Sequence, residues 1–208
     1  MKKYFLNLAI ILALFIVSTS SYSQNSLWSW GANTSGQLGD GTNTNSNVPI
    51  QITQSEDWVA VSAGGAHTLA IRNDGTLWGW GRNDYGQVGD GTNTDKLTPV
   101  QIGEANDWAF ISADFYFSLG IRSNGTLWGW GQNGYGQLGN GTTTNSNVPV
   151  QVGDATNWIF VATGNYHSLG IRSDNTLWAW GKNLNGQLGD GTNTSSSIPV
   201  QVGSANNW

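Results

Sequence analysis

The chain contains no cysteine, which excludes disulfide staples, a lipid-modified cysteine anchor and thiolate metal sites. It has two histidines, His67 and His167, set 100 residues apart, so no zinc constellation of ordinary spacing is available. Charge is sparse. Lys and Arg number 8 against 13 Asp and Glu, giving a net charge of −5, with no basic stripe to release counterions from a phosphate backbone. Nucleic acid is therefore excluded as a partner. Helical 3.6-residue periodicity is missing, which argues against a helical solenoid. No Gly-Lys-Ser/Thr follows any of the 29 glycines, so the glycine-rich loops are not phosphate cradles.

Long apolar runs are absent except at the start. Lys2 and Lys3 precede Phe5 to Val17, and a polar stretch with small residues runs on to Ser23. This order is that of a secretory signal peptide over residues 1–23, with cleavage expected before Gln24. The apolar run is short of the ~20 residues a spanning helix needs, so no stable membrane span is expected in the mature chain. Export places the protein in the medium, the periplasm or on the cell surface. Losing Lys2 and Lys3 with the leader makes the remainder more acidic still.

What is abundant is tryptophan, and it is periodic. The 12 Trp fall into three phases of a 50-residue period: Trp28, Trp78, Trp128 and Trp178; Trp30, Trp80, Trp130 and Trp180; Trp58, Trp108, Trp158 and Trp208. The four prolines share one phase too: Pro49, Pro99, Pro149 and Pro199. Residues 24–208 divide into frames 27–76, 77–126, 127–176 and a partial 177–208. A residue that buries ~150–250 Å² and recurs in strict phase is a core element of every unit.

Within the unit from Trp58 to Trp108, three strands are expected at Val59–Ala63, His67–Arg72 and Thr76–Trp80. Asp74-Gly75 turns between the second and third, and Pro99–Ile102 forms a short edge strand. Asp174-Asn175 is the corresponding turn in the last copy. Four short antiparallel strands per repeat predict an all-β fold, a β-propeller of about 3.7 units with an incomplete ring. Small residues at Ala70, Gly120 and Gly170, and at Ser29, Gly79, Gly129 and Ala179, are expected where neighbouring sheets approach.

The segment Val61-Ser-Ala-Gly64-Gly-Ala-His67-Thr-Leu69-Ala-Ile71, with Asp74-Gly75-Thr-Leu-Trp78-Gly-Trp80-Gly81 and Gly86-Gln87-Val-Gly89, resembles a repeat of the RCC1 (regulator of chromosome condensation) family. The likeness recurs at Val161–Ile171 and covers essentially all of the mature chain. It implies a seven-bladed propeller, so this chain would be a fragment or a half-ring closing by self-association. It also makes His67 and His167 part of the repeat signature, and Phe117 in the same phase points to packing rather than catalysis. Family roles implied by the resemblance are protein-binding platform, nucleotide-exchange regulator of a small GTPase, and inhibitor of a secreted enzyme such as a β-lactamase. A leader directs this chain away from a cytosolic GTPase.

No nucleophile, base and orienting acid are singled out in an array of equal units, so the expectation is a non-enzymatic protein with no catalytic residue, cofactor or metal. The loops at Asp40, Asp90, Asn140 and Asp190 lack the alternating acids of a calcium hand and read as turns, with weak calcium binding as the alternative. What differs between copies is informative. Positions 64–66 change from Gly-Gly-Ala to Asp114-Phe115-Tyr116 and Gly164-Asn165-Tyr166, and Ser35 becomes Tyr85, Tyr135 and Asn185. Aromatic residues on rigid loops are interface anchors, so Tyr85, Tyr135, Asp114, Phe115, Tyr116 and Tyr166 are the candidate binding residues. A protein partner is the first expectation, and cell-surface carbohydrate the alternative.

Overall fold

The computed structural model describes residues 26–52 and 57–208. The leader-like segment lies outside these residues. Every regular element within them is a strand. β1 (Trp28–Gly31) and β2 (Ser46–Gln51) form a two-stranded sheet. A first full blade consists of β3 (Trp58–Ala63), β4 (His67–Arg72), β5 (Leu77–Gly81) and β6 (Lys96–Gln101). The second contains β7 (Trp108–Ala113), β8 (Phe117–Arg122), β9 (Leu127–Gly131) and β10 (Ser146–Gln151). The third contains β11 (Trp158–Gly164), β12 (His167–Arg172), β13 (Leu177–Gly181) and β14 (Ser196–Gln201). All pairings are antiparallel between neighbours in sequence. The 50-residue frames thus begin at a third strand and straddle two sheets.

The expected strands are all present. The fourth begins earlier than expected, at Lys96 rather than Pro99, because Gly81 pairs with Lys96 across a bulge. Proline lies on this outermost strand, where its missing N–H breaks no ladder. The turn at Asp174-Asn175 takes a left-handed residue without glycine, Asn175 at φ 59°.

Each blade is cored by three indoles. Trp58 meets Trp78 and Trp80 edge to face at 6.1 Å each; Trp108 meets Trp128 and Trp130 at 6.4 and 5.8 Å; Trp158 meets Trp178 and Trp180 at 6.3 and 5.7 Å. Such pairs add about 0.5–1.5 kcal/mol beyond area burial. Arg72 and Arg172 lie over the outer two rings, 3.5 Å from the Trp78 centroid and 3.8 Å from that of Trp178. At Gly120 and Gly170 the small residue serves a different purpose from the one expected. A Cβ on Gly120 would stand 2.6 Å from Trp108 Cζ3, and one on Gly170 equally close to Trp158. The position makes room for the blade's own first-strand indole, not for a neighbouring sheet.

Blades are joined through the glycine-rich loop after each third strand. The Gln37 carbonyl accepts the Trp80 indole N–H at 3.0 Å and the Thr68 hydroxyl at 3.0 Å, both from the next sheet. The Gln137 carbonyl accepts Trp180 at 2.9 Å and Ser168 at 2.8 Å, and the Gln87 carbonyl accepts Ser118 at 2.8 Å. Gly89 sits directly on the Trp130 indole, and its φ of +91° suits glycine. This explains the Gly86-Gln87-Gly89 signature. Within the loop, Asn33, Asn83, Asn133 and Asn183 are fully buried hubs. Asn83 Oδ1 accepts Val88 N–H, while its Nδ2 donates to Asp90 Oδ1 and the Thr92 and Thr94 carbonyls.

Candidate partner-binding face

Because the strands alternate in direction, the turn from first to second strand and the glycine-rich loop emerge at the same end of each blade. The glycine-rich loop also leans on the next blade. Tyr85, carried after β5, is therefore delivered to the β7–β8 turn, and Tyr135, after β9, to the β11–β12 turn. The candidate aromatic residues meet there. Tyr85 packs edge to face on Tyr116 at 5.2 Å, Phe115 is tilted against Tyr116 at 5.7 Å, Tyr116 and Tyr166 lie 6.4 Å apart, and Tyr166 meets Tyr135 at 5.4 Å. Together with Asp114 at the root of the turn, all six residues belong to one band over two blade seams. Phe115 and Tyr135 are exposed, at 52% and 37%, while Tyr85, Tyr116 and Tyr166 are half-buried. The seam before the first full blade has Ser35 and Ala66 at these positions, so the band ends there.

Two cations flank the band, and neither is among the residues expected from sequence. The Arg82 guanidinium lies 5.3 Å from the Tyr116 centroid, and Lys182 Nζ lies 5.1 Å from that of Tyr135 and 5.3 Å from that of Tyr166. Arg82 forks onto Asp84, its Nε at 2.8 Å and Nη2 at 2.5 Å. That pair holds the Asp84 carboxyl below its ordinary range. Their shared phase, 82 and 182, beside the variable tyrosines is the signal that could have found them.

Tyr166 carries backbone strain. Its φ of 144° is rare for a side-chain-bearing residue, and its N–H closes a tight turn onto the Gly164 carbonyl at 2.7 Å. Such conformations cost about 1–3 kcal/mol and cluster at functional positions.

His67 is buried, its Nε2 2.8 Å from Ser118 Oγ of the next blade, and burial pushes its pKa down to about 3. His167, half-buried, is also lowered by burial, partly offset by the Asp114 charge. Asp40, Asp90, Asn140 and Asp190 accept backbone N–H and hydroxyl groups of the threonine two residues on, a turn role. No group of three potential metal ligands occurs among the described residues.

Two family models described as the regulator of chromosome condensation (RCC1) repeat match the chain, one at residues 24–71, 74–113, 124–171 and 174–208, the other at 58–87, 109–137 and 158–187. Comparison with curated proteins gives no match. Among solved structures, human WBSCR16 superposes with a TM-score of 0.78 at 24% identity, over 87% of this chain and 49% of that one. Prp20p from Saccharomyces cerevisiae gives 0.77 at 19% identity, over 86% and 47%. The yeast protein bound to Kap60 gives 0.75 at 18%, over 91% and 50%. The chain spans about half the length of these structures.

Proposed function

The chain belongs to the RCC1 repeat family, and we propose that it is an exported, non-enzymatic platform that binds a protein through the aromatic band. One observation carries the reading: variable loop residues from separate blades converge as Tyr85–Tyr116–Tyr166–Tyr135, with Phe115 exposed beside them. Tyrosines held on rigid loops are among the residues in which interfaces concentrate their binding energy. The yeast relative is described as bound to Kap60, and with binding properties toward Gsp1p and histones, so the fold supports protein recognition elsewhere. Export rests on the order of residues 1–23.

The test is capture from envelope extracts with the intact chain and with Tyr85→Ala plus Tyr135→Ala, alongside a glycan array. A specific protein lost from the double variant supports the platform. Unchanged capture, or binding only to glycans, overturns it. Mass spectrometry of the secreted product would support export by finding Gln24 at its N-terminus, and an unprocessed chain retained in the cell would refute it.

A further inference from the structure

We infer that the chain associates with a second copy of itself, the glycine-rich loop of the third blade (residues 182–195) docking on the β1–β2 sheet of the other copy. This surface is separate from the aromatic band, and the inference does not rest on the platform reading.

The chain makes this kind of contact three times internally. The loop after β1 leans on the first full blade, the loop after β5 on the second, and the loop after β9 on the third. In each case the same backbone positions meet the next sheet. A Cβ on Gly39, Gly89 or Gly139 would stand 2.7 Å from the indole nitrogen of Trp80, Trp130 or Trp180. Gly36, Gly86 and Gly136 press in the same way on Leu97, Asn147 and Ser197. The N–H groups of Gly41, Gly91 and Gly141 donate to the carbonyls of those same three residues at 2.9, 2.8 and 2.8 Å. Every partner in this set belongs to the third or fourth strand of its blade. The β1–β2 sheet supplies those two strands.

The fourth loop is built like the other three and left open. Asn183 is buried as its hub and accepts the Leu188 N–H at 2.9 Å, and Gly186 and Gly189 donate to the Asn183 and Gly186 carbonyls as their counterparts do. Yet Gly186 and Gly189 are exposed where those counterparts are buried, and Gln187 is half-buried where Gln37, Gln87 and Gln137 are buried. The first sheet shows the matching deficit. Trp30 is half-buried, whereas Trp80, Trp130 and Trp180 are sealed; Asn47 is exposed, whereas Leu97, Asn147 and Ser197 are half-buried. A loop already held in its docking conformation loses little freedom on binding, which favours the contact.

The side chains favour this pairing in particular. At the second junction Asn147 Nδ2 donates to the Gly91 carbonyl at 2.9 Å and to Asn93 Oδ1 at 3.2 Å. The first junction has Asn43 and Leu97 in these phases, and the third has Thr143 and Ser197, so neither repeats the pair of amides. The fourth loop and the first sheet carry Asn193 and Asn47. Between two copies the amide pair is restored. The Gly191 N–H then donates to the Asn47 carbonyl, and the Gln187 carbonyl accepts the Trp30 indole N–H as Gln37 accepts that of Trp80. Because a loop meets a sheet and not its like, the contact is heterologous, and it closes a ring or runs on as an open array.

The experiment is sedimentation velocity of the purified chain over a concentration series, with Asn47→Arg and Asn193→Arg. Both positions are exposed, and circular dichroism checks that the variants keep the fold. The parent should sediment as a dimer or larger, and each variant should weaken association roughly tenfold or more. Mixing the two variants should restore a one-to-one dimer, because the unaltered loop of Asn47→Arg meets the unaltered sheet of Asn193→Arg. A parent that stays monomeric throughout, or folded variants that associate like the parent, would overturn the inference. So would a mixture that stays monomeric, or association abolished by Tyr85→Ala plus Tyr135→Ala alone, which would move the contact to the aromatic band.

Discussion

His67 Nε2 and Ser118 Oγ lie 2.8 Å apart across a blade seam. The Ser118 hydroxyl donates its own proton to the Gln87 carbonyl at 2.8 Å, so it accepts from His67, which fixes the imidazole as the Nε2–H tautomer. A single buried side chain thus reports the integrity of the contact between two blades.

That contact makes stability depend on pH. Burial depresses the His67 pKa from 6.5 to about 3, so the native state refuses a proton that the unfolded chain accepts. The contribution is present in full above pH 6.5 and is lost as pH falls through that value toward 3, at up to ~1.4 kcal/mol per pH unit. His67→Phe, which copies the phenylalanine at the same phase of the second blade, should flatten this slope. Urea denaturation at pH 7 and pH 4.5 measures it: a midpoint difference equal in both proteins would show that His67 is not the titrating group.

The indoles should divide sharply by position. Trp80 is fully buried and donates to the Gln37 carbonyl, whereas Trp28 is 38% exposed. Trp80→Ala is expected to cost about 3–5 kcal/mol, and Trp28→Ala under about 1 kcal/mol. Thermal melts of the two variants decide the matter, since comparable losses would contradict the assigned core.

Gly89 and Gly189 share a phase and a left-handed backbone, φ 91° and 65°, but only Gly89 carries a neighbouring blade's indole. Alanine strains both backbones, and at 89 it also presses on Trp130. Gly89→Ala should therefore destabilise by roughly 1–3 kcal/mol more than Gly189→Ala. Equal effects would mean that the loop does not hold the seam.

The buried Asn83 amide should tolerate no acid. Asn83→Asp replaces the donor to Asp90 Oδ1 and the Thr92 and Thr94 carbonyls with a second carboxylate in the same loop. A loss of several kcal/mol at pH 7 is expected, partly recovered at pH 4 as the newly buried carboxylate protonates. Hydrogen exchange at Val88, whose amide bonds to Asn83 Oδ1, gives the local readout. Exchange unchanged from the parent would refute the hub role.

Much of the architecture is legible in the chain. Strict phase places Trp58, Trp78 and Trp80 in a common core, Pro99 on an edge and Asp74-Gly75 in a turn. The buried Asn hubs and Arg72 are not legible, because polar residues in phase look the same whether they face water or a carbonyl. The purpose of Gly120 is hidden for a related reason: repetition shows that space is needed and cannot say which neighbour fills it.

Local periodicity alone determined that this protein is an array of four-stranded, tryptophan-cored units with variable aromatic turns. Only tertiary structure decided that Tyr85 reaches Tyr116 and Tyr135 reaches Tyr166, in each case 31 residues along the chain and one blade on. The cause is the glycine-rich loop, which crosses the seam to place Gln87 on Ser118 and Gly89 on Trp130, and carries its tyrosine with it.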